Sequence, residues 1–270
     1  MLLGDADAAP VLYCHGYPGS RLEGRLAARA GRRIRIRMVA PDRPGFGESS
    51  FKPARTIGAW TEDVVQLMDR LGVGQFNVLG VSGGGPYALA CAARMPDRVT
   101  RVALIGGLGP LSRRDVTEKM RPLNRSILRI AARSPGSARL GVRILAAAMR
   151  LSPRLYVSAM ALGAPEADRR ILADETYRTL IVDSTREAVR HGGRGVAWEV
   201  TLFARRWDFD LGAVRAPVRI WQGVEDDIVP VAIARDLNES LPNSECRLLP
   251  GEGHLVVRHL EAILADLCGM

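Results

Sequence analysis

Apolar and polar positions along the chain change their period several times, and each change marks an element. Val11 to Cys14 is a short apolar run that ends in the turn His15 to Ser20, H-G-Y-P-G-S. Arg21 to Ala30 reads as a helix, and Ile34 to Ala40 alternates, with Ile34, Ile36 and Met38 set against Arg35 and Arg37. That period of two predicts a strand with one wet face. Asp42 to Ser50, D-R-P-G-F-G-E-S-S, is a turn-rich loop. From Ile57 to Leu71 the apolar residues Ile57, Trp60, Val64, Leu67 and Leu71 fall three and four apart, the stripe of an amphipathic helix that Gly72 stops. Phe76 to Gly80 is strand again. Pro86 to Ala93 is a helix of small residues, with Pro86 in the first turn where a missing N–H costs nothing, and Val99 to Ile105 is another strand.

Strand and helix alternating to this point predict a mostly parallel sheet with helices on both faces. Near Pro110 the pattern changes: from Leu111 to about Arg206 there is little strand character and much Arg, Ala and Leu at helical spacing, broken near Pro135, Pro153 and Pro165. Alternation resumes at Pro217 with a strand from Val218 to Trp221, a loop from Gly223 to Pro230 and a helix from Val231 to Leu241. A strand from Cys246 to Leu249, the loop Gly251 to His254 and a last helix from Leu255 to Leu267 complete the chain. The expected organisation is one α/β core, residues 1–110 and 211–270, interrupted by a helical segment over residues 111–210.

A chain of 270 residues, 47% hydrophobic and 25% charged, is long enough for one such core plus an insertion. No apolar run approaches the roughly 20 residues of a membrane span, and the opening M-L-L-G-D-A-D-A-A-P lacks the regions of a signal peptide, so the cytoplasm is the expected address. Cys14, Cys91, Cys246 and Cys268 lie far apart without metal-ligand spacing; reduced thiols, no metal and no cofactor are expected. Residues 111–210 hold 19 basic and 11 acidic side chains, which accounts for +8 of the net +9. With few aromatics and no nucleic-acid-binding motif, this charge does not predict a nucleic-acid partner.

The candidate chemistry lies in the strand-end loops, where open α/β sheets place ligands. Gly80 to Gly84 reads G-V-S-G-G and fits G-x-S-x-G, in which flanking glycines let a strained turn hold the Ser82 hydroxyl clear of the backbone. The N–H of Gly83, opening the helix that follows, points where an oxyanion would form. A phosphate cradle is the competing reading of such a turn, but no lysine follows the glycines and G-x-G-x-x-G is out of frame. Asp226 and His254 occupy two later strand-end loops. Taken singly, Asp226 could cap a helix and His254 could be a solvated loop histidine.

Together, H-G-Y-P-G-S-R (His15 to Arg21), D-R-P-G-F-G-E-S (Asp42 to Ser49), G-V-S-G-G-G-P-Y-A-L-A (Gly80 to Ala90), G-V-E-D-D-I-V-P and G-E-G-H resemble the α/β-hydrolase superfamily over nearly the whole chain. The resemblance implies Ser82 as nucleophile, His254 as general base and acid, and Asp226, ahead of Asp227, as the orienting acid. It implies the backbone N–H groups of Gly83 and Tyr17 as the oxyanion hole, and residues 111–210 as a lid inserted after the sixth strand. The implied activity is cleavage of a carboxylic ester of a small acyl substrate. A peptidase, a perhydrolase, a carbon–carbon bond hydrolase and a non-catalytic ligand-binding protein are the alternatives. A carboxylate nucleophile would be needed for epoxide or haloalkane chemistry, and Ser82 stands in its place.

Two further expectations concern surfaces. Arg121, Arg125, Arg129 and Arg133 recur every fourth residue and predict one basic helix face, with Leu123, Ile127 and Ile130 on another. A solvated arginine face is the favoured reading, and contact with anionic lipid or an acidic substrate the sharper, less favoured one. Only Met1 to Pro10 precede Val11, too few for the strand hairpin that opens relatives. The strand over 34–40 is therefore expected at or next to an open sheet edge, which invites pairing with a second copy and so a homo-oligomer.

Overall fold

A computed structural model describes residues 1–111 and 117–270; residues 112–116, at the start of the expected helical segment, lie outside the described residues. Seven strands form one sheet: β1 (Leu2–Gly4), β2 (Ala9–Cys14), β3 (Ile36–Val39), β4 (Phe76–Val81), β5 (Val99–Ile105), β6 (Val218–Gly223) and β7 (Ser244–Leu249). Their order is β1-β3-β2-β4-β5-β6-β7. Every neighbouring pair is parallel except β1 with β3.

Successive side chains of a strand point to opposite faces, and both faces of this sheet are buried. In β2, Leu12 and Cys14 pack on one side with α2 (Trp60–Arg70), α3 (Gly85–Arg94) and α10 (Val231–Ser240). Val11 and Tyr13 pack on the other with α1 (Gly24–Ala30) and α11 (Leu260–Cys268). Apolar side chains on both faces explain why the central strands read as nearly unbroken apolar runs.

The strand expected over 34–40 is shorter. Gly31–Ile34 forms a 3-10 turn, and Arg35 closes it in the left-handed region at φ +45°, so pairing begins only at Ile36. Alternating side chains report a wet and a dry face, and a tight turn can satisfy that pattern as well as a strand. β3 lies one place in from the sheet edge, and β1 is the outermost strand, with Leu2 opposite Val39. Only β1 stands before β2, so among the described residues the helical segment follows the fifth strand and not the sixth.

That segment comprises α4 (Pro122–Arg133), α5 (Pro135–Leu151), α6 (Pro153–Leu162), α7 (Glu166–Ala173), α8 (Glu175–Ala188) and α9 (Arg194–Phe203). The expected break points are helix starts. Pro135 and Pro153 open α5 and α6, and Pro165 sits just before α7, positions where proline's fixed φ suits a first turn. α4, α5 and α9 share one apolar cluster with Phe46, and α6, α7 and α8 share a smaller one.

The arginine face expected on α4 is not the simple one that the spacing suggests. Arg121 precedes the helix and is drawn to the core, with its Nε 2.8 Å from Asp227 Oδ1 and its Nη1 3.1 Å from the Met160 carbonyl oxygen. Leu123 and Ile130 do not turn inward but stand exposed, and Ala131 is the fully buried residue of this helix.

Candidate active site

Ser82 follows β4 directly and opens the 3-10 turn Ser82–Gly84 that leads into α3. Its φ of +53° is left-handed, a conformation that costs a non-glycine residue roughly 1–3 kcal/mol and persists only where the surroundings enforce it. The Ser82 carbonyl accepts the Leu108 N–H at 2.9 Å, fastening the turn to the loop after β5. A Cβ added to Gly83 would stand 2.7 Å from the Tyr17 Cβ, so glycine is what allows the H-G-Y-P-G turn to close over the elbow.

Asp226 lies in the loop after β6 and is buried. Its Oδ1 accepts the N–H groups of Ile228 and Val229 at 2.9 and 2.8 Å, and its Oδ2 accepts the Gln222 side-chain amide at 3.0 Å. The same Oδ2 stands 2.8 Å from His254 Nδ1. A carboxylate accepts only, so Nδ1 carries the proton and Nε2 is left as the basic nitrogen. Asp227, its neighbour, pairs with Arg121. Ser82, Tyr17 and His254 line one cavity of about 150 Å³, walled mainly by apolar side chains of the core and of α6 and α8. Burial alone would lower the His254 pKa. Asp226 beside the ring, with Asp168 and Asp227 further off, outweighs it and holds the imidazole above its ordinary value.

The turn carrying Tyr17 rests on a buried ion pair. Arg43, fully buried, places its Nε 2.8 Å from Glu199 Oε1 on α9, and its Nη2 3.0 Å from the Gly16 carbonyl oxygen. His15 Nε2 accepts the Arg43 N–H, which leaves Nδ1 to donate to the Gly16 carbonyl at 2.9 Å. Burial, with Arg43 beside the ring, pushes the His15 pKa well down, so this histidine is a neutral brace.

A family model described as "alpha/beta hydrolase fold" matches residues 9–257. The chain belongs to the α/β-hydrolase fold family. A protein of Caulobacter sp. (strain K31) with the provisional name carbamate hydrolase RutD is 28% identical over 228 residues, 82% of this chain and 74% of that one. The 2-hydroxymuconate semialdehyde hydrolase of Pseudomonas putida is 38% identical over 104 residues, 37% of each chain. An α/β-hydrolase fold protein from Nakamurella multipartita superposes with a TM-score of 0.69 at 24% identity, covering 100% of this chain and 95% of that structure.

Within this α/β-hydrolase two residues at the site escape the sequence reading. Asp168, buried on α7, accepts the backbone N–H groups of His254 at 3.0 Å and Leu255 at 2.8 Å. A Cβ on Gly253 would stand 2.5 Å from Asp168 Oδ2, so the glycine of G-E-G-H admits this carboxylate. Glu23 lines the cavity wall, where its Oε2 accepts the Gly16 N–H at 2.7 Å and its Oε1 the Ser184 hydroxyl at 3.3 Å. Burial pushes its carboxyl up from the ordinary range. Asp168 had no local signal, since its partners are 86 and 87 residues away. Glu23 had one, an acidic residue close behind a glycine turn, which the helical reading of Arg21 to Ala30 absorbed.

Proposed function

We propose that this α/β-hydrolase cleaves a carboxylic ester of a small acyl substrate through an acyl-enzyme on Ser82. The observation that carries the reading is the 2.8 Å contact of Asp226 with His254 Nδ1, in a site whose cavity is lined by both His254 and Ser82. His254 Nε2 takes the Ser82 proton as the hydroxyl attacks the carbonyl carbon, and Asp226 fixes the tautomer and stabilises the imidazolium. The N–H groups of Gly83 and Tyr17 stabilise the oxyanion, each worth about 10² to 10³ in rate by analogy with measured donors. His254 then returns the proton to the departing alcohol, and water activated by the same nitrogen releases the acid. Residues 111–210 act as the lid: α6 and α8 close the cavity with Tyr156, Met160, Tyr177 and Ile181. A cavity of about 150 Å³ favours short acyl groups, being well below the roughly 300–1,000 Å³ of drug-sized sites.

A fluorophosphonate probe tests the nucleophile. Wild type is expected to become labelled and Ser82→Ala to stay unlabelled; a wild type that resists the probe under conditions that label a known serine esterase overturns the reading. Nitrophenyl esters of increasing acyl length then measure the pocket, with kcat/KM expected to peak at short chains. The match to a 2-hydroxymuconate semialdehyde hydrolase supports a second reading, carbon–carbon bond cleavage by the same three residues. Turnover of a vinylogous 1,5-diketone without turnover of esters would establish it over the first.

A further inference from the structure

Three consecutive helices, α4 to α6, each turn apolar side chains outward. Leu140, Ile144 and Leu151 on α5 are 64%, 66% and 82% exposed. At 3.6 residues per turn they fall within about 40° of one another, opposite the buried Val142 and Met149. Leu123 and Ile130 on α4 and Leu155 and Leu162 on α6 are each seven apart, again two turns along one line, and all four are exposed. These seven stand among only eleven large apolar side chains exposed among the described residues, so the exposure is concentrated and not scattered. α5 packs against both α4 and α6, which brings the three helices together.

The charge carried by these three helices has one sign. Residues 122–162 contain seven arginines and no Asp or Glu. Arg143 and Arg150 follow the apolar row of α5 along one flank, and Arg129 and Arg133 do the same on α4. Among the described residues these four pair with no carboxylate. At the α8 border Arg154 pairs with Glu175, and Asp183 shares a groove with Leu151 and Leu155, whereas the rows of α4 and α5 are edged by arginine; such rows complement an anionic, apolar-cored surface.

We propose that the outer face of α4, α5 and α6 docks on an anionic lipid bilayer, the apolar rows entering the headgroup boundary and the arginines meeting lipid phosphates. The contact is peripheral, since no helix among the described residues is long and apolar enough to cross a membrane. α6 carries Leu155 and Leu162 outward and lines the cavity with Tyr156 and Met160, so docking brings the cavity wall to the lipid boundary.

Sedimentation with vesicles of phosphatidylglycerol and phosphatidylcholine, against pure phosphatidylcholine, tests this with the full chain. Wild type is expected to sediment with the anionic vesicles, to be released by salt, and to ignore the neutral ones. Arg143→Ser and Arg150→Ser should each weaken binding roughly fivefold, and Ile144→Asp by tenfold or more, about the loss for one buried apolar side chain. Circular dichroism and hydrolysis of a water-soluble ester serve as folding controls for these variants. Ser82→Ala is expected to bind vesicles as wild type does, so failure of the ester reading leaves this result readable. No binding to anionic vesicles at low salt, equal binding to both kinds, or an Ile144→Asp variant that binds undiminished overturns the proposal. So does a wild-type dimer that ignores vesicles and that Leu151→Asp dissolves, because a second copy would then be the occupant.

Discussion

The protonation of His254 connects several side chains to one measurable quantity. The proposed reaction needs the neutral imidazole, and the surrounding carboxylates favour the charged one, so kcat/KM should fall toward acid pH with a midpoint above the roughly 6.5 of an ordinary histidine. Asp168→Asn removes one of the charges that hold the imidazolium and should move that midpoint to lower pH. It also loses one of the two backbone hydrogen bonds of the His254 loop, since an amide offers a single acceptor oxygen, and kcat should fall about tenfold or more. A pH profile that keeps its midpoint in Asp168→Asn would reduce this residue to a structural brace. Ser82, Asp226 and His254 stood out as candidates in the sequence because each stands in a glycine-rich loop after its own strand, where periodicity breaks, and the fold sets Asp226 against His254 and lines one cavity with His254 and Ser82. Asp168 did not, because an acid in the first turn of a helix has an adequate local explanation, and only the packing of α7 on the last loop gives it another.

At the scale of elements, the central strands and the helices of the core were readable from period and turn residues, since both faces of the sheet are covered and each helix has one buried stripe; the three-residue edge strand β1 was not. Reading failed where side-chain pattern and backbone geometry part company, as in the turn at Gly31–Ile34 and the 3-10 start at Val257–His259 that delays the last helix to Leu260. The helical segment gave its helices and their proline-marked starts, but not its attachment, which rests on single polar contacts from distant elements. Glu199 on α9 shows the point: in sequence it is one acid among apolar residues, and in the fold it neutralises Arg43 beneath the Tyr17 turn. Glu199→Ala leaves a fully buried guanidinium without its partner and should destabilise by about 3–5 kcal/mol, measured by urea unfolding. Arg43→Ala should weaken stability comparably and slow the probe reaction of Ser82 as well, since the Gly16 carbonyl loses its anchor. Stability within about 1 kcal/mol of wild type in either variant would mean that the surrounding packing, not the ion pair, holds the turn.

For the molecule as a whole, ionised carboxylates fasten the helical segment to the α/β core, beside apolar contacts such as those of Phe46 and Phe203. Glu187 on α8 meets Arg21 at 2.8 Å, and Arg21 also holds Asp42 of the core. Asp208, just beyond α9, accepts the Gly58 N–H and the Thr56 hydroxyl at 2.8 Å and the Arg94 guanidinium at 2.9 Å. Burial raises both carboxyls, but for Glu187 the bonds from Arg21 and Arg190 outweigh it, and for Asp208 the bonds from Gly58 and Thr56 do; each ends below its ordinary value of 4.5 or 3.8. A carboxylate depressed by folding contributes stability that is fully present above its unfolded pKa and is lost as pH falls through the folded one. Glu23, raised by burial, has the opposite sign, so the raw pH dependence of Tm mixes the two. The comparison that isolates the fastening is the Tm difference between wild type and Glu187→Gln. It should be constant from neutral pH down to about 4.5 and shrink toward zero below it. A difference that persists undiminished at pH 3 would show that Glu187 supports the fold through packing of its side chain and not through its charge.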